Sequence, residues 1–372
     1  MNGTVHTRVQ VPPGVQCFVG EEARRRRAIE ERIVSVFEGW DYQEIIPPLY
    51  DYADAFASAA LSGKTYSFVG RDGSLLALRP DFTSLIAKIA AGRLAERPAP
   101  LRLYYSGEVL RYEPPKAGRQ SELYQMGLEH LGGDPRAADV EVLAIAIECL
   151  ERLGVGGAVL ALGHVGVFAG LVAATDLTSS SLERLRERVD ARDAAGVAVA
   201  LDSAGVARTV RDAVLRLASM GGDAAVLDEA RRAFVAFPAA VAAIDELREA
   251  VAALQSAGLG RVVSVDLAEV RGLDYYTGLV FRAFAPDLGF ELGAGGRYDT
   301  LLARFGRPMP AVGFMLGLDR VALLLERQAR ALGDRPAAAE SIATARLGPA
   351  LVEARARRAS GRRVRFGEGD RA

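Results

Sequence analysis

Three short stretches of this sequence combine residue types that could hold a small polar ligand. The first is Arg271-Gly272-Leu273-Asp274-Tyr275-Tyr276-Thr277-Gly278, a guanidinium, a carboxylate and two phenols between glycines. Arg271 can grip a carboxylate through two parallel hydrogen bonds, and each tyrosine offers an apolar ring with a polar tip. Apolar runs at 262–267 and 279–284 read as a buried strand entering the stretch and a second strand leaving it. Strand geometry through the tyrosine pair would turn only one ring toward a ligand. An edge arginine with ordinary aromatic packing is the alternative, and spacing alone leaves both open. The second stretch, 122–131, reads as a strand in which Leu123, Gln125, Gly127 and Glu129 share one face. Tyr124, Met126, Leu128 and His130 share the other, where His130 reads as packing. Burying Gln125 and Glu129 without polar partners is costly, so their face marks a site unless it meets water. The third is Asp81 with Thr83, just before the apolar helix of Leu85, Ile86, Ile89 and Ala90. Asp81 can cap that helix, or the pair can meet a ligand ammonium.

The elements that position these residues follow from hydrophobic period and turn chemistry. A helix is predicted over 21–40, with Ile29, Ile33, Phe37 and Trp40 on one face and Arg24 to Arg27 as a solvated face, a partner contact being the alternative. A strand at 42–46 stops at Pro47-Pro48. Further strands are predicted at 64–68, 75–78, 101–105 and 107–112, then a Pro-, Gly- and base-rich loop at 114–120. A long amphipathic helix covers 135–153 and a strand 159–162; His164, at the next helix start, reads as structural. From 177 to 258 the pattern is helical and alanine-rich, with stripes at Leu182, Leu185, Val189 and at Val241, Ile244, Leu247, Val251. The glycines of 289–296 read as a tight turn between strands rather than a phosphate loop. A strand running into a helix is expected over 314–325.

Composition narrows the classes. The chain has 372 residues, half of them hydrophobic, and a formal charge of −1. That length allows two or three domains with a sizeable core, and the charge balance gives no global field for nucleic acid. Two cysteines, Cys17 and Cys149, make no disulfide framework and fit a reducing compartment. Three histidines and no metal-ligand spacing leave histidine-based and metal chemistry poorly supplied. No apolar run reaches membrane-spanning length and no apolar leader opens the chain, so a cytoplasmic location is expected.

Five segments in order, over about 15–330, also resemble histidyl-tRNA synthetase. Arg-Gly-Leu-Asp-Tyr-Tyr at 271–276 resembles its histidine-specific signature, and Gly293-Ala-Gly-Gly-Arg-Tyr-Asp299 its second one. The helix, strand and proline of 21–47 resemble class II motif 1, the dimer-forming motif. Residues 111–129 resemble motif 2, and Gly313-Phe-Met-Leu-Gly-Leu-Asp-Arg320 resembles motif 3, with Asp319-Arg320 in place of Glu-Arg. Arg111, Glu113 and Arg119 match the ATP-gripping pattern of motif 2. Ser121 stands where the family has a second arginine, and Leu123 where it has an adenine-stacking aromatic. At 78–81 the chain reads Leu-Arg-Pro-Asp where the synthetases carry Leu-Arg-Pro-Glu. This variant, the length and the end of the chain resemble the regulatory subunits of ATP phosphoribosyltransferase, relatives of the synthetase that charge no tRNA.

The resemblance implies an α+β fold: a class II aminoacyl-tRNA synthetase-like antiparallel sheet flanked by helices. It implies core segments at 1–176 and 261–330, a helical insertion at 177–260 and no complete anticodon-binding domain. Residues 331–372 would be a truncated tail, either helix plus one short strand or a disordered end. It implies a histidine site made of Asp81, Thr83, Arg111, Gln125, Glu129, Arg271, Tyr275, Tyr276 and Tyr298. With charge complementarity, the ligand ammonium goes to Asp81, Thr83 and Gln125. Its carboxylate goes to Arg271 and Gln125, and its imidazole N–H to Glu129 beside Tyr276. Glu113, Arg119 and Arg320 would be residual nucleotide contacts. No catalytic residue, metal or cofactor is implied. The implied partners are L-histidine and a short catalytic subunit, reached as a homodimer within a hetero-oligomer; tRNA and membrane are not. The alternatives are a histidyl-tRNA synthetase, or a synthetase-like histidine sensor with another partner.

Overall fold

The computed structural model describes residues 11–57, 63–112, 120–270, 275–330 and 338–367. Helix α1 (Glu21–Gly39) buries Ile29, Ile33 and Phe37 of the predicted stripe, with Val36 beside them, while Trp40 lies past the helix end and is exposed. Its basic run is solvated at Arg24 and Arg27 and makes partner contacts at Arg25 and Arg26. Arg25 pairs with Glu326 at 3.4 Å, Arg26 with Asp319, and Arg27 with Glu30. Strands β1 (Gln43–Glu44), β2 (Tyr50–Tyr52), β3 (Ser67–Val69) and β4 (Leu75–Leu78) follow, then α2 (Thr83–Ala91). β2, β4 and β3 form a small antiparallel sheet. The two strands expected at 101–112 are one, β5 (Leu101–Leu110), paired in full register with β6 (Glu122–Leu131).

Helix α3 (Pro135–Arg152) starts with proline at its first turn and Asp134 accepting from the Ala137 N–H at 2.8 Å. Then come β7 (Val159–His164) and α4 (Val165–Val172), capped by His164 through the Gly166 N–H at 3.1 Å. Helices α5 (Ser179–Asp190), α6 (Ala194–Ser203) and α7 (Arg208–Leu217), strand β8 (Gly221–Gly222), and helices α8 (Ala225–Ala233) and α9 (Pro238–Ser256) follow. α9 lies along α4, close enough that a Cβ on Gly170 would sit 2.4 Å from the Ala240 nitrogen. The chain returns through β9 (Val263–Asp266), β10 (Leu279–Phe284), β11 (Gly293–Arg297), β12 (Ala311–Gly317) and α10 (Leu318–Arg327).

These strands form one nine-stranded sheet in the order β1-β5-β6-β12-β11-β10-β7-β9-β8. Its centre is antiparallel as expected, but β1–β5 and β7–β9 are parallel, so the sheet is mixed. Only Val265 of β9 is buried, because β9 lies near the sheet edge and not in its centre. Of the glycines expected in a turn, Gly289 lies in the connection between β10 and β11, but Gly293, Gly295 and Gly296 lie in β11, a central strand. A Cβ at Gly293 would stand 2.2 Å from the Met315 carbonyl oxygen, and one at Gly295 2.5 Å from that of Gly313. Close approach of neighbouring strands, not turning, selects glycine there.

One sheet face packs on α1, where Phe37 meets Tyr104 and Phe314 at ring separations of 5.6 and 6.0 Å. The other carries a second core of Phe82, Ile86, Leu103, Tyr105, Tyr298 and Leu302. The chain divides after Arg330 into two compact units. In the second, parallel strands β13 (Glu340–Ala343) and β14 (Val364–Gly367) and helix α11 (Leu347–Ala359) enclose a small cluster of Ile342, Ala350 and Ala354. No helix among the described residues is long and apolar enough to cross a membrane.

Candidate functional site

Residues directly opposed across antiparallel strands share a face, and the register therefore maps the sheet floor. One row runs Leu103, Glu129, Gly313, Gly296, Val280 and Gly163. The next runs Tyr105, Gly127, Met315, Ala294 and Arg282. Gln125 lies between Gly107 and Gly317. Glutamate and glutamine thus rise from a floor whose adjacent positions are mostly glycine, and side chains lie over those glycines: Tyr105 over Gly127, Tyr276 over Gly296, Arg79 over Gly107 and Arg320 over Gly317. Gly313 cannot carry a side chain here: its Cβ would lie 1.8 Å from Glu129 Oε2.

Glu129 is 1% exposed. Its Oε1 accepts from Thr83 Oγ1 at 2.7 Å, and its Oε2 accepts from the Tyr298 hydroxyl. Burial pushes its carboxyl up to about 8; the two hydroxyl donors pull it down, and the nearby charge of Asp81 raises it. Asp81 accepts from the Ser84 N–H at 2.7 Å and its hydroxyl at 3.2 Å, so it caps α2. Burial also raises its carboxyl, against the Ser84 bonds and the Arg111 guanidinium. Gln125 is 4% exposed, and among the described residues its side-chain amide makes no hydrogen bond. A buried amide with hydrogen-bonding capacity left over among the described residues is a feature a ligand would complete.

Tyrosines pack beside Glu129. Tyr275 stacks on Tyr298 with ring centroids 5.3 Å apart and meets Tyr276 edge-on at 5.1 Å. The Tyr276 ring lies over Gly296, where a Cβ would approach it to 2.8 Å. Both tyrosines therefore enter the same cluster, contrary to strict strand alternation. Residues 275–278 are not a strand, so the period of two does not apply. Burial raises all three phenols, so they stay protonated donors. A fourth, Tyr105, was not singled out from the sequence. It stacks on Phe82 at 4.2 Å beneath Gly127, with its hydroxyl beside Thr83. Its signal was indirect: it pairs with Gly127, the glycine between Gln125 and Glu129.

Arg111 Nε donates to the Pro80 carbonyl at 2.7 Å, which sets the guanidinium beside Asp81. Arg320 lies over Gly317, the neighbour of Gln125 across the strands, with its Nη1 held by the Glu291 carbonyl oxygen at 2.8 Å and carboxylate at 3.0 Å. Its neighbour Asp319 is engaged by Arg26 and by the Tyr124 N–H. Arg271, Glu113 and Arg119 lie outside the described residues. His130, on the reverse face, meets Tyr42 at 3.1 Å and Glu141 at 3.2 Å, and is packed rather than presented. Among the described residues no three His, Cys, Asp or Glu side chains are grouped to hold a metal ion.

A buried knot behind the sheet holds the two tyrosine segments together. Arg297, 6% exposed, donates to Asp139 at 2.7 Å, to Asp299 at 3.0 Å and to the Pro135 carbonyl. Its own carbonyl accepts from the Thr277 N–H at 2.7 Å, while Thr277 Oγ1 accepts from the Asp299 N–H at 3.0 Å. Tyr276 and Tyr298 are thereby clamped to each other and to the first turn of α3.

The site therefore brings together the buried Glu129 carboxyl, the half-buried Asp81, the Gln125 amide and protonated phenols. That set suits a small ligand carrying cationic or N–H groups. The model of the histidyl-tRNA synthetase family matches residues 14–321. An ATP phosphoribosyltransferase regulatory subunit from Moorella thermoacetica is 38% identical over 318 residues, 85% of this chain and 82% of that protein. One from Desulforamulus reducens is 39% identical over 319 residues, 86% of this chain and 79% of that protein. A Bacillus halodurans crystal structure described as ATP phosphoribosyltransferase regulatory subunit/histidyl-tRNA synthetase superposes with a TM-score of 0.86 at 28% identity. It covers 98% of this chain and 94% of its own. Histidyl-tRNA synthetase from Nostoc sp. superposes at 0.81 with 22% identity, over 98% of this chain and 87% of its own, and speaks for the fold alone. The chain belongs to the family of ATP phosphoribosyltransferase regulatory subunits, proteins built on the class II fold of histidyl-tRNA synthetase.

Proposed function

We propose that this protein binds L-histidine in the Glu129–Gln125 pocket, activates a short ATP phosphoribosyltransferase catalytic subunit, and carries feedback inhibition by histidine to it. The observation that supports this reading most is the buried Glu129, on the same strand face as a Gln125 amide that makes no hydrogen bond among the described residues. The ligand ammonium is assigned to Asp81, Thr83 and Gln125, its carboxylate to Arg271 and Gln125, and its ring N–H to Glu129 with Tyr276 beside it. Arg111, Tyr275 and Tyr298 complete the wall. The partner is inferred from the names of the relatives, and a homodimer within the larger assembly from the motif 1 resemblance.

Amino-acid activation is not proposed. It needs phosphate charge neutralised in the transition state. Here Ser121 and Leu123 replace the arginine and stacking ring, and Glu291 already holds Arg320. The experiment is a calorimetric titration with L-histidine, repeated on Glu129→Ala and Arg271→Ala. Removing one side of a desolvated charge pair typically costs ~2–5 kcal/mol, so both variants should lose most binding while circular dichroism is retained. Unchanged titrations in both would remove the assignment. Histidine-dependent exchange of pyrophosphate into ATP at synthetase-like rates would replace it with the synthetase reading.

A further inference from the structure

The strand that leads into the 271–276 signature is gripped by the helical insertion as well as by the sheet. At its end, Asp266 accepts from Arg192 Nη2 on both carboxylate oxygens, each at 2.7 Å. Arg192 sits between α5 and α6 at φ 54, in the left-handed region that a residue other than glycine rarely adopts. Its Nη1 donates to the Ala218 carbonyl at 3.1 Å, so one guanidinium ties two parts of the insertion to the end of β9. The Leu267 N–H donates to the Met220 carbonyl at 3.1 Å, and Gly221 of β8 pairs with Asp266. Asp266 in turn shapes the chain beyond it. Its Oδ1 accepts from the Ala268 N–H at 3.1 Å, and its carbonyl accepts from the Glu269 N–H at 3.3 Å. This turn lies hard on β7: a Cβ at Gly163 would stand 2.7 Å from the Asp266 carbonyl oxygen and 2.9 Å from Glu269 Cβ. Glu269, 5% exposed, pairs with Arg282 of β10, and Val270, 1% exposed, is the residue before the signature.

We propose that Arg192 is a positioning residue for the histidine pocket: through Asp266 it fixes the turn at 266–269, and with it the point from which Arg271 is delivered to the ligand carboxylate. This rests on the reading of the pocket as a histidine site with Arg271 as a carboxylate contact. A guanidinium keeps the two parallel hydrogen bonds a carboxylate offers only while its own backbone is held in place. Glu129 and Gln125 are held by the sheet itself, since they stand in β6, a central strand with a neighbour on each side. The approach to Arg271 is built less firmly. β9 has four residues, only Val265 of them buried, and it lies next to the last strand of the sheet. The Arg192–Asp266 pair supplies from the insertion the hold that a longer strand would give. Solvent reaches 48% of the Arg192 side chain and 19% of that of Asp266, so the pair adds little to global stability and its local effect is separable. Its loss is felt at the ligand carboxylate and not at the imidazole, which Glu129 holds from the sheet.

The test is a set of calorimetric titrations of the full chain with L-histidine and with L-histidinol, whose hydroxymethyl group replaces the carboxylate. Wild type is compared with Arg192→Ala, Asp266→Asn and the double variant. Each variant should bind L-histidine about 3–30-fold more weakly, the range for a residue acting through a packed chain, and L-histidinol within about twofold of wild type. The double variant should lose no more than the worse single one, because both substitutions remove the same link. Arg192→Gly deletes the side chain while relaxing the left-handed backbone, so it should lose the same histidine affinity with thermal stability kept. It carries the test if Arg192→Ala does not fold. Unchanged histidine affinity in the variants would overturn the proposal. Equal losses for the two ligands would overturn it too, by marking the pair as a support of the fold alone. Both results leave the histidine site standing. A wild type that binds no L-histidine would remove the site, and the proposal with it.

Discussion

Replacing Glu129 by glutamine should stabilise the ligand-free protein at alkaline pH while impairing its binding of histidine. The magnitude follows from the carboxyl, held at about 8 in the fold against an ordinary value of 4.5. Between these limits the folded state holds a proton that the unfolded chain has released. The stability this proton supplies is complete below pH 4.5, declines by about 1.4 kcal/mol per pH unit above it, and is gone past about pH 8. From pH 5.5 to 8.5 this one group therefore costs the wild-type fold about 3 kcal/mol. Glutamine keeps the volume and an acceptor for Tyr298 or Thr83 but has no proton to lose. Urea unfolding of both proteins, at several pH values without ligand, gives the difference directly. Groups common to both cancel, including Asp139, also raised by burial, and His130 and His164, both lowered by it. The variant-minus-wild-type stability should rise by about 3 kcal/mol across that range. Parallel pH profiles would refute the argument, because Glu129 would then ionise alike in the folded and unfolded chains.

Three further outcomes follow from the same geometry. Gly313→Ala, whose Cβ would lie 1.8 Å from Glu129 Oε2 and 2.5 Å from the Leu128 carbonyl oxygen, should weaken histidine binding at least tenfold and destabilise the fold by about 1–3 kcal/mol. Calorimetry and thermal unfolding would measure the two effects. Arg297→Ala strands the buried Asp139 carboxyl, held at about 6 even with its partner, and should cost about 3–5 kcal/mol. Loss of the guanidinium moves that carboxyl higher still, so the deficit should grow as pH rises through 6; adding Asp139→Asn should recover part of it in a double-mutant cycle. Tyr298→Phe removes one of the two donors to Glu129 and should cost about 1.5–3 kcal/mol of histidine affinity at neutral pH.

What was legible in the sequence was local. The period of two over 122–131 placed Gln125 and Glu129 on one face because both faces of a strand are written in six or seven consecutive residues. The register confirms their common face. The partners of Glu129 were less accessible: Thr83 is 46 residues away and Tyr298 is 169, and only tertiary pairing brings them together. The glycines of β11 misled for a related reason. Composition marks them as turn residues, but the demand for glycine comes from β12 carbonyls and the Tyr276 ring, which no local window contains. The basic run at 24–27 was likewise read without its acceptors, Asp319 and Glu326, nearly three hundred residues downstream. The family resemblance supplied the histidine roles that spacing alone left open.

The most direct test of the regulatory reading is the rate of phosphoribosyl-ATP formation from ATP and phosphoribosyl pyrophosphate. It is measured for the cognate short catalytic subunit with and without this protein, each across a histidine titration. The account predicts no activity from this protein alone, a gain on mixing, and a fall as histidine is added. The Glu129→Gln complex should turn over normally but need far more histidine. A histidine coupling of ~1–3 kcal/mol corresponds to a 5–150-fold change in the relevant equilibrium, well within reach of the assay. A catalytic rate unchanged on mixing, with no co-elution of the two chains, would contradict the account.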